Sequence, residues 1–315
     1  MLLVRLGTHA IFLLLCKTTN EQRHTHKEGY TMPTSPGFRL AHITDVHVQP
    51  ELNASKAWAK TLAHINEHID NYNLVITGGD AIMNATNEAV KRVDIQWDLW
   101  HTGLQKLTKV KSLHCIGNHD VLSWEAEDDT ASKQKKRAII ELKIPSRYYS
   151  VNHGGWHIIF LDSCQPLNGG YTARLDQEQF DWLKSDLSDT KNIPTIIVSH
   201  VPILSVTGPV YDNERILNNH WHIPGNWMHV DAYELINLFS IYPNVRLCLS
   251  GHMHLRDICH HNDVTYICGG ALCANWWKGS LAHCAEGYGS LELFDDGTFS
   301  YDYITIEWKS QCSIA

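Results

Sequence analysis

The chain has 315 residues, with 34 Asp plus Glu against 26 Lys plus Arg and a formal charge of −8. Hydrophobic residues make up 43% and charged residues 19%, which excludes disordered and fibrous classes. The acidic balance argues against a dedicated nucleic-acid surface, and no run of 18 apolar residues is available to span a membrane.

Residues 1–16 read as a targeting segment. Arg5 supplies the positive charge and Ala10 to Leu15 the apolar stretch. Cys16, after Leu13-Leu14-Leu15, is a candidate lipid-attachment site. Residues 17–37 are polar and turn-rich, a linker to a domain spanning 38–315. The expected location is therefore exported, on the periplasmic or extracellular side and anchored to a membrane, with the cytoplasm as the alternative. The nine cysteines do not decide the compartment. Cys115, Cys248 and Cys268 sit in apolar runs as small hydrophobes, while Cys259, Cys268, Cys273 and Cys284 are close enough in sequence to pair.

From residue 38 the pattern alternates. Strands are predicted over 38–44, 74–77 and 112–116, with helices over 55–70 and 88–107 between them. Further on, strands are predicted over 156–161, 193–198, 245–249, 264–268, 289–294 and 299–306, with helices over 176–187 and 231–241. Asp295-Asp296-Gly297 reads as the turn of a hairpin. Such alternation implies an α/β core with mostly parallel strands, whose ligand sites lie beyond the carboxyl ends of the strands. Residues 125–137 read as a solvated face or mobile loop, and 205–230 as an ordered cap loop rich in Asn, His and Trp.

Five polar motifs each follow an apolar strand: Asp45-Val46-His47, Gly79-Asp80, Gly117-Asn118-His119-Asp120, Ser199-His200 and Gly251-His252-Met253-His254. Imidazole, carboxylate and amide oxygen together suit Zn²⁺, Mn²⁺ or Fe and lack the thiolates of a structural zinc site. The 21 histidines point the same way.

These motifs, in this order, resemble the calcineurin-like metallophosphoesterase superfamily, in size and spacing most of all its class III cyclic-nucleotide phosphodiesterase-like branch. The resemblance implies a four-layer α-β-β-α sandwich with two mixed sheets flanked by helices. It implies Asp45, His47 and His254 on a first metal ion, Asn118, His200 and His252 on a second, and Asp80 bridging them. It further implies a hydroxide between the ions as nucleophile on a small phosphodiester, His119 as general acid and Asp120 orienting that imidazole. The ion identity (Mn, Fe or Zn) stays open.

Departures narrow the branch. Purple acid phosphatases place Tyr three residues after the bridging Asp, where this chain has Met83, and the G-D-x-x-D-R-G pattern of protein Ser/Thr phosphatases is broken by Ala81-Ile82-Met83-Asn84. Phosphomonoesterase, nuclease and a catalytically inert metal-binding protein are the alternatives. His222, His229, Trp276 and Trp277 are the candidate substrate contacts, the two Trp offering either an aromatic wall or core packing.

Overall fold

The computed structural model describes residues 37–68, 72–125, 130–212 and 216–309. The expectations for the targeting segment, Cys16 and the linker before residue 37 lie outside the described residues. Among those described, no helix is long and apolar enough to cross a membrane.

Two mixed sheets form the interior. The first has β1 (Phe38–Ile43), β2 (Leu74–Thr77) and β3 (Lys111–His114) in parallel, extended antiparallel by β14 (Gly287–Leu293) and β15 (Phe299–Thr305), in the order β15-β14-β1-β2-β3. The second runs β12 (Arg256–His261), β13 (Val264–Gly269), β11 (Val245–Ser250), β8 (Thr195–Ser199), β5 (Trp156–Leu161), β4 (Tyr149–His153). Its central four strands are parallel and its edges antiparallel.

Alternation along the second sheet shows why its strands read as continuous apolar runs. Ile158, Phe160, Ile196, Val198, Leu247 and Leu249 point into the core shared with the first sheet. Ile159, Leu161, Ile197 and Cys248 point the other way, onto Leu183 and Leu187 of α4 (Gln177–Asp189) and Leu235, Leu238 and Phe239 of α6 (Ala232–Ile241). Both faces are covered, as parallel sheets require. The outer layer over the first sheet is α1 (Ala54–Glu67) and α2 (Val90–Leu104), locked by the stacked rings of Trp58 and Trp100 at 4.8 Å. The four-layer expectation holds. The 295–297 turn joins β14 to β15 as read, with Gly297 at φ 81°.

The segment 125–137 departs from its expected solvation at Lys135. Thr130–Leu142 is a helix, α3, and it buries Lys135, Ala138 and Leu142. The Lys135 ammonium, fully buried, donates to both Asp162 oxygens at 2.7 Å and to the Cys164 carbonyl. Arg147 adds a second cation to Asp162 at 3.0 Å. Charge density in the sequence suggests solvent, which holds for Lys133 and Lys136; the Asp162 carboxylate reverses it at Lys135. Lys135→Ala is expected to lower stability by about 1–3 kcal/mol, because Asp162 loses its buried ammonium partner and keeps Arg147; a denaturant titration checks this.

The segment 205–230 carries regular structure where described. It forms α5 (Gly208–Tyr211) and a small hairpin of β9 (Ile216–Leu217) and β10 (His220–Trp221). A second hairpin, β6 (Cys164–Leu167) with β7 (Gly170–Ala173), was not foreseen. The seven cysteines of the described residues are all free thiols, so no pairing joins Cys259, Cys268, Cys273 and Cys284.

Candidate metal centre

The five motifs meet at the carboxyl ends of β1, β2, β3, β8 and β11. Asp45, His47, Asp80, His252 and His254 all have left-handed backbone, with φ between 44° and 68°. Each such residue costs about 1–3 kcal/mol, and strain of this kind persists where the surrounding structure holds it for a purpose. Here the left-handed turn swings each side chain off its strand axis toward a common cleft. Main-chain bonds hold the turns together: Asp45 N–H to Gly79 O at 3.1 Å, His47 N–H to Asp80 O at 3.0 Å and Gly251 N–H to His200 O at 3.0 Å.

The donor atoms converge in two groups. In one, His254 Nε2 is 3.1 Å from His47 Nε2 and 3.4 Å from Asp45 Oδ1. In the other, His200 Nε2 is 3.0 Å from Asn118 Oδ1, and Asp80, His200 and His252 present ligand atoms within 4.8 Å of one another. Asp80 joins the groups. Its Oδ2 lies 3.4 Å from His47 Nε2 and 3.3 Å from His200 Nε2, while its Oδ1 accepts the His119 amide at 2.8 Å.

This donor set fits cations. A carbonyl can only accept, so His200 Nδ1 donates to Gly78 O at 2.8 Å and His254 Nδ1 donates to Ala274 O at 2.6 Å. With Nδ1–H so committed, each ring presents Nε2 toward other acceptors, where a positive ion can take the place of a second proton. The electrostatics agree. Burial opposes ionisation of Asp80 and Asp45, yet neighbouring imidazoles hold both below the usual carboxylate range. Burial also opposes charge on His200 and His254, but Asp80 and Asp45 raise His200 to about 9, and Cys273 and Asp45 raise His254 well above the usual imidazole range, so positive charge is favoured at both Nε2 positions and an ion there displaces a proton. Burial lowers His47 and His252 to about 3, the neutral form that ligates metals.

Two glycines give the carboxylates room. A Cβ on Gly251 would sit 1.9 Å from Thr44 Oγ1 and 2.2 Å from Asp45 Oδ2, and one on Gly117 would sit 2.1 Å from Asp80 Oδ1. Gly251→Ala is expected to displace Asp45 and weaken metal retention by more than the roughly 10–100-fold typical of an outer-shell change; metal content after dialysis against a graded chelator reads this.

His119 lies edge-on to His47, with ring centroids 4.7 Å apart. Its orientation comes from Met83 O, which accepts from Nδ1 at 2.7 Å. This corrects the role expected of Asp120. That carboxylate accepts from the backbone amides of Gly117 and Ala81 at 2.9 Å and Ile82 at 3.3 Å, and does not hold the His119 ring. It ties the Asp80 loop to the Asn118 loop, and burial followed by the Asp80 charge pushes it up to about 7.

Over the donors lies a cavity of about 160 Å³ lined by Asp80, Asn118, His119, His252, His254 and Trp276, with Tyr171, Tyr211 and Trp227 as further walls. Of the four candidate substrate contacts, only Trp276 lines it, its ring 4.6 Å from that of His254. Trp277 is buried and donates to the Val46 and His47 carbonyls, a brace under the site. His229 is buried between Ser199 and Asp231, at 3.1 and 2.8 Å. His222 is exposed outside the cleft. Tyr171, Tyr211 and Trp227 escaped the sequence reading, because no motif marks a residue that a hairpin or a cap loop carries over the site.

The calcineurin-like phosphoesterase family profile matches residues 38–256, the span that holds every donor above. The chain belongs to the calcineurin-like phosphoesterase family. It is a metal-dependent phosphoric ester hydrolase. A 3′,5′-cyclic-nucleotide phosphodiesterase of Nostoc sp. is 25% identical over 83% of this chain and 90% of its own length. The 3′,5′-cyclic adenosine monophosphate phosphodiesterase CpdA of Escherichia coli is 22% identical over 83% and 87%. Among solved structures, a dimetal phosphatase from Danio rerio superposes with a TM-score of 0.58 at 13% identity, covering 83% of this chain and 94% of its own. GAP50, the inner membrane complex anchor of Plasmodium, gives 0.54 at 13% identity and 88% coverage of both. At this identity the structural likenesses establish the fold alone.

Proposed function

We propose that this phosphoesterase holds two metal ions and hydrolyses phosphodiesters, with 3′,5′-cyclic nucleotides the first substrates to test. The observation that carries the reading is the position of Asp80 Oδ2, equidistant to within 0.1 Å from the imidazoles of the two donor groups, at 3.4 and 3.3 Å. Asp45, His47 and His254 would hold one ion, and Asn118, His200 and His252 the other, with Asp80 shared. Such a pair supplies an acidified water and a clamp on phosphoryl oxygens.

The chain's own residues do the rest. The Nδ1–H bond to Met83 O leaves His119 Nε2 as the atom that can give a proton to a leaving oxygen beside Asp80 and Asn118. Tyr171, Tyr211, Trp227 and Trp276 wall the cleft and limit water around the reacting phosphorus. The cyclic-nucleotide assignment draws on the names of the relatives, and the preference for diesters on their shared class.

The test is a panel on metal-reconstituted protein: bis-p-nitrophenyl phosphate, p-nitrophenyl phosphate, and 3′,5′-cyclic AMP and GMP. Diester turnover above monoester turnover supports the reading. Monoester turnover alone, or none, refutes it.

A further inference from the structure

Two cavities flank α5. Tyr211 at its end lines the metal cleft, whereas Thr207 and Val210 line a second cavity of about 300 Å³. The chain after β11 divides the same way. His252, Met253 and His254 face the cleft, and the next three residues, Leu255, Arg256 and Asp257, face the second cavity. The two spaces thus adjoin along consecutive residues of the chain.

The second cavity sets the Arg256 guanidinium beside an apolar lining. The Arg256 guanidinium rests 4.2 Å over the Tyr303 ring, which fixes the plane of its fork without neutralising it. Asp257 lines the same cavity and carries the opposite charge, held by partners on the 205–206 segment. Its Oδ2 accepts from Ser205 Oγ at 2.7 Å and the Val206 amide at 2.6 Å, and its Oδ1 is buried without a hydrogen-bond partner. Val206, Val210 and Leu255 supply the apolar lining. A planar guanidinium on such a floor suits a phosphate, which it can grip through two parallel N–H bonds. The volume is at the small end for a ligand pocket, so it fits one arm of a substrate rather than the whole.

Resting on the phosphodiesterase reading above, we propose that this cavity is a subsite for the second arm of the substrate, a sugar-sized body ending in a phosphate that pairs with Arg256. The scissile phosphorus occupies the metal cleft, and the arm passes beside Met253 to reach the subsite. Cyclic mononucleotides have no such arm, so linear diesters with a terminal phosphate gain from it and cyclic ones do not.

The experiment compares the 5′-phosphorylated dinucleotide pApA with ApA, which lacks that phosphate, on wild type, Arg256→Gln and Arg256→Lys. In wild type the kcat/KM ratio pApA:ApA is expected to be about tenfold, through KM, as one charge-assisted pair provides. Arg256→Gln brings the ratio to about one, and Arg256→Lys keeps part of it. A ratio in wild type near one, or one that Arg256→Gln leaves unchanged, overturns the proposal. Turnover of bis-p-nitrophenyl phosphate by the same preparations reads the hydrolase assignment separately. If no diester turns over, the same ratio is read as Kd by calorimetry, with the same expectation and the same overturning result.

Discussion

Asp80→Asn is expected to abolish phosphodiester hydrolysis, with a loss beyond the roughly 10²–10⁴-fold that removal of a general acid causes. The reason is geometric. Asp80 Oδ2 stands between His47 Nε2 and His200 Nε2, and Oδ1 anchors the His119 amide at 2.8 Å. Replacing the carboxylate removes the negative charge both donor groups share and replaces one acceptor with a donor that faces imidazole lone pairs. Metal content should fall in the same variant. Thermal unfolding of the metal-free protein should change far less, because the strands beneath Asp80 pack without it. Full activity in Asp80→Asn would show that the shared carboxylate has no part in the chemistry.

His119→Ala should behave differently. Its ring is held by Met83 O and lies beside His47 and Asp80, with ligand atoms within 4.8 Å of theirs, but it is not in either proposed ligand set. Metal content is expected to be retained. Turnover of an alkyl diester should fall by about 10²–10⁴, whereas a p-nitrophenyl diester, whose leaving group needs no proton, should lose much less. Parallel losses on both substrates would assign His119 to site geometry rather than proton transfer. Asp120→Ala offers a contrast, since it frees three backbone amides at once and should lower stability, measured by denaturant midpoint, as well as rate.

Much of this was legible in the chain. Strand ends were marked because an apolar run that stops at Asp, His or Asn leaves its polar residues beyond a sheet, where ligands bind. The pairs Asp45/His47 and His252/His254, two residues apart, read as neighbours on one strand end; the structure instead reaches the same convergence through left-handed turns at all four residues. Three matters were not legible. Lys135 lies in a charged stretch, and only tertiary structure supplies the Asp162 and Cys164 partners that bury it. The partner of Asp120 could not be told from its neighbour in sequence, because its acceptors reach across to the loop after β2 rather than to His119. Trp276 and Trp277 are adjacent and chemically identical, yet left-handed backbone at both sends one ring to the cleft and the other under His47. Adjacent residues part in this way wherever a loop, rather than a strand or helix, sets the direction.

The central claim is that two donor groups share Asp80 around a pair of cations. The most direct measurement is anomalous scattering from crystals of the protein soaked in Mn²⁺. Two peaks roughly 3.5–4 Å apart are expected, both within bonding distance of Asp80, one beside His47 and His254 and the other beside Asn118 and His200. A single peak, or peaks that Asp80 does not touch, would contradict it.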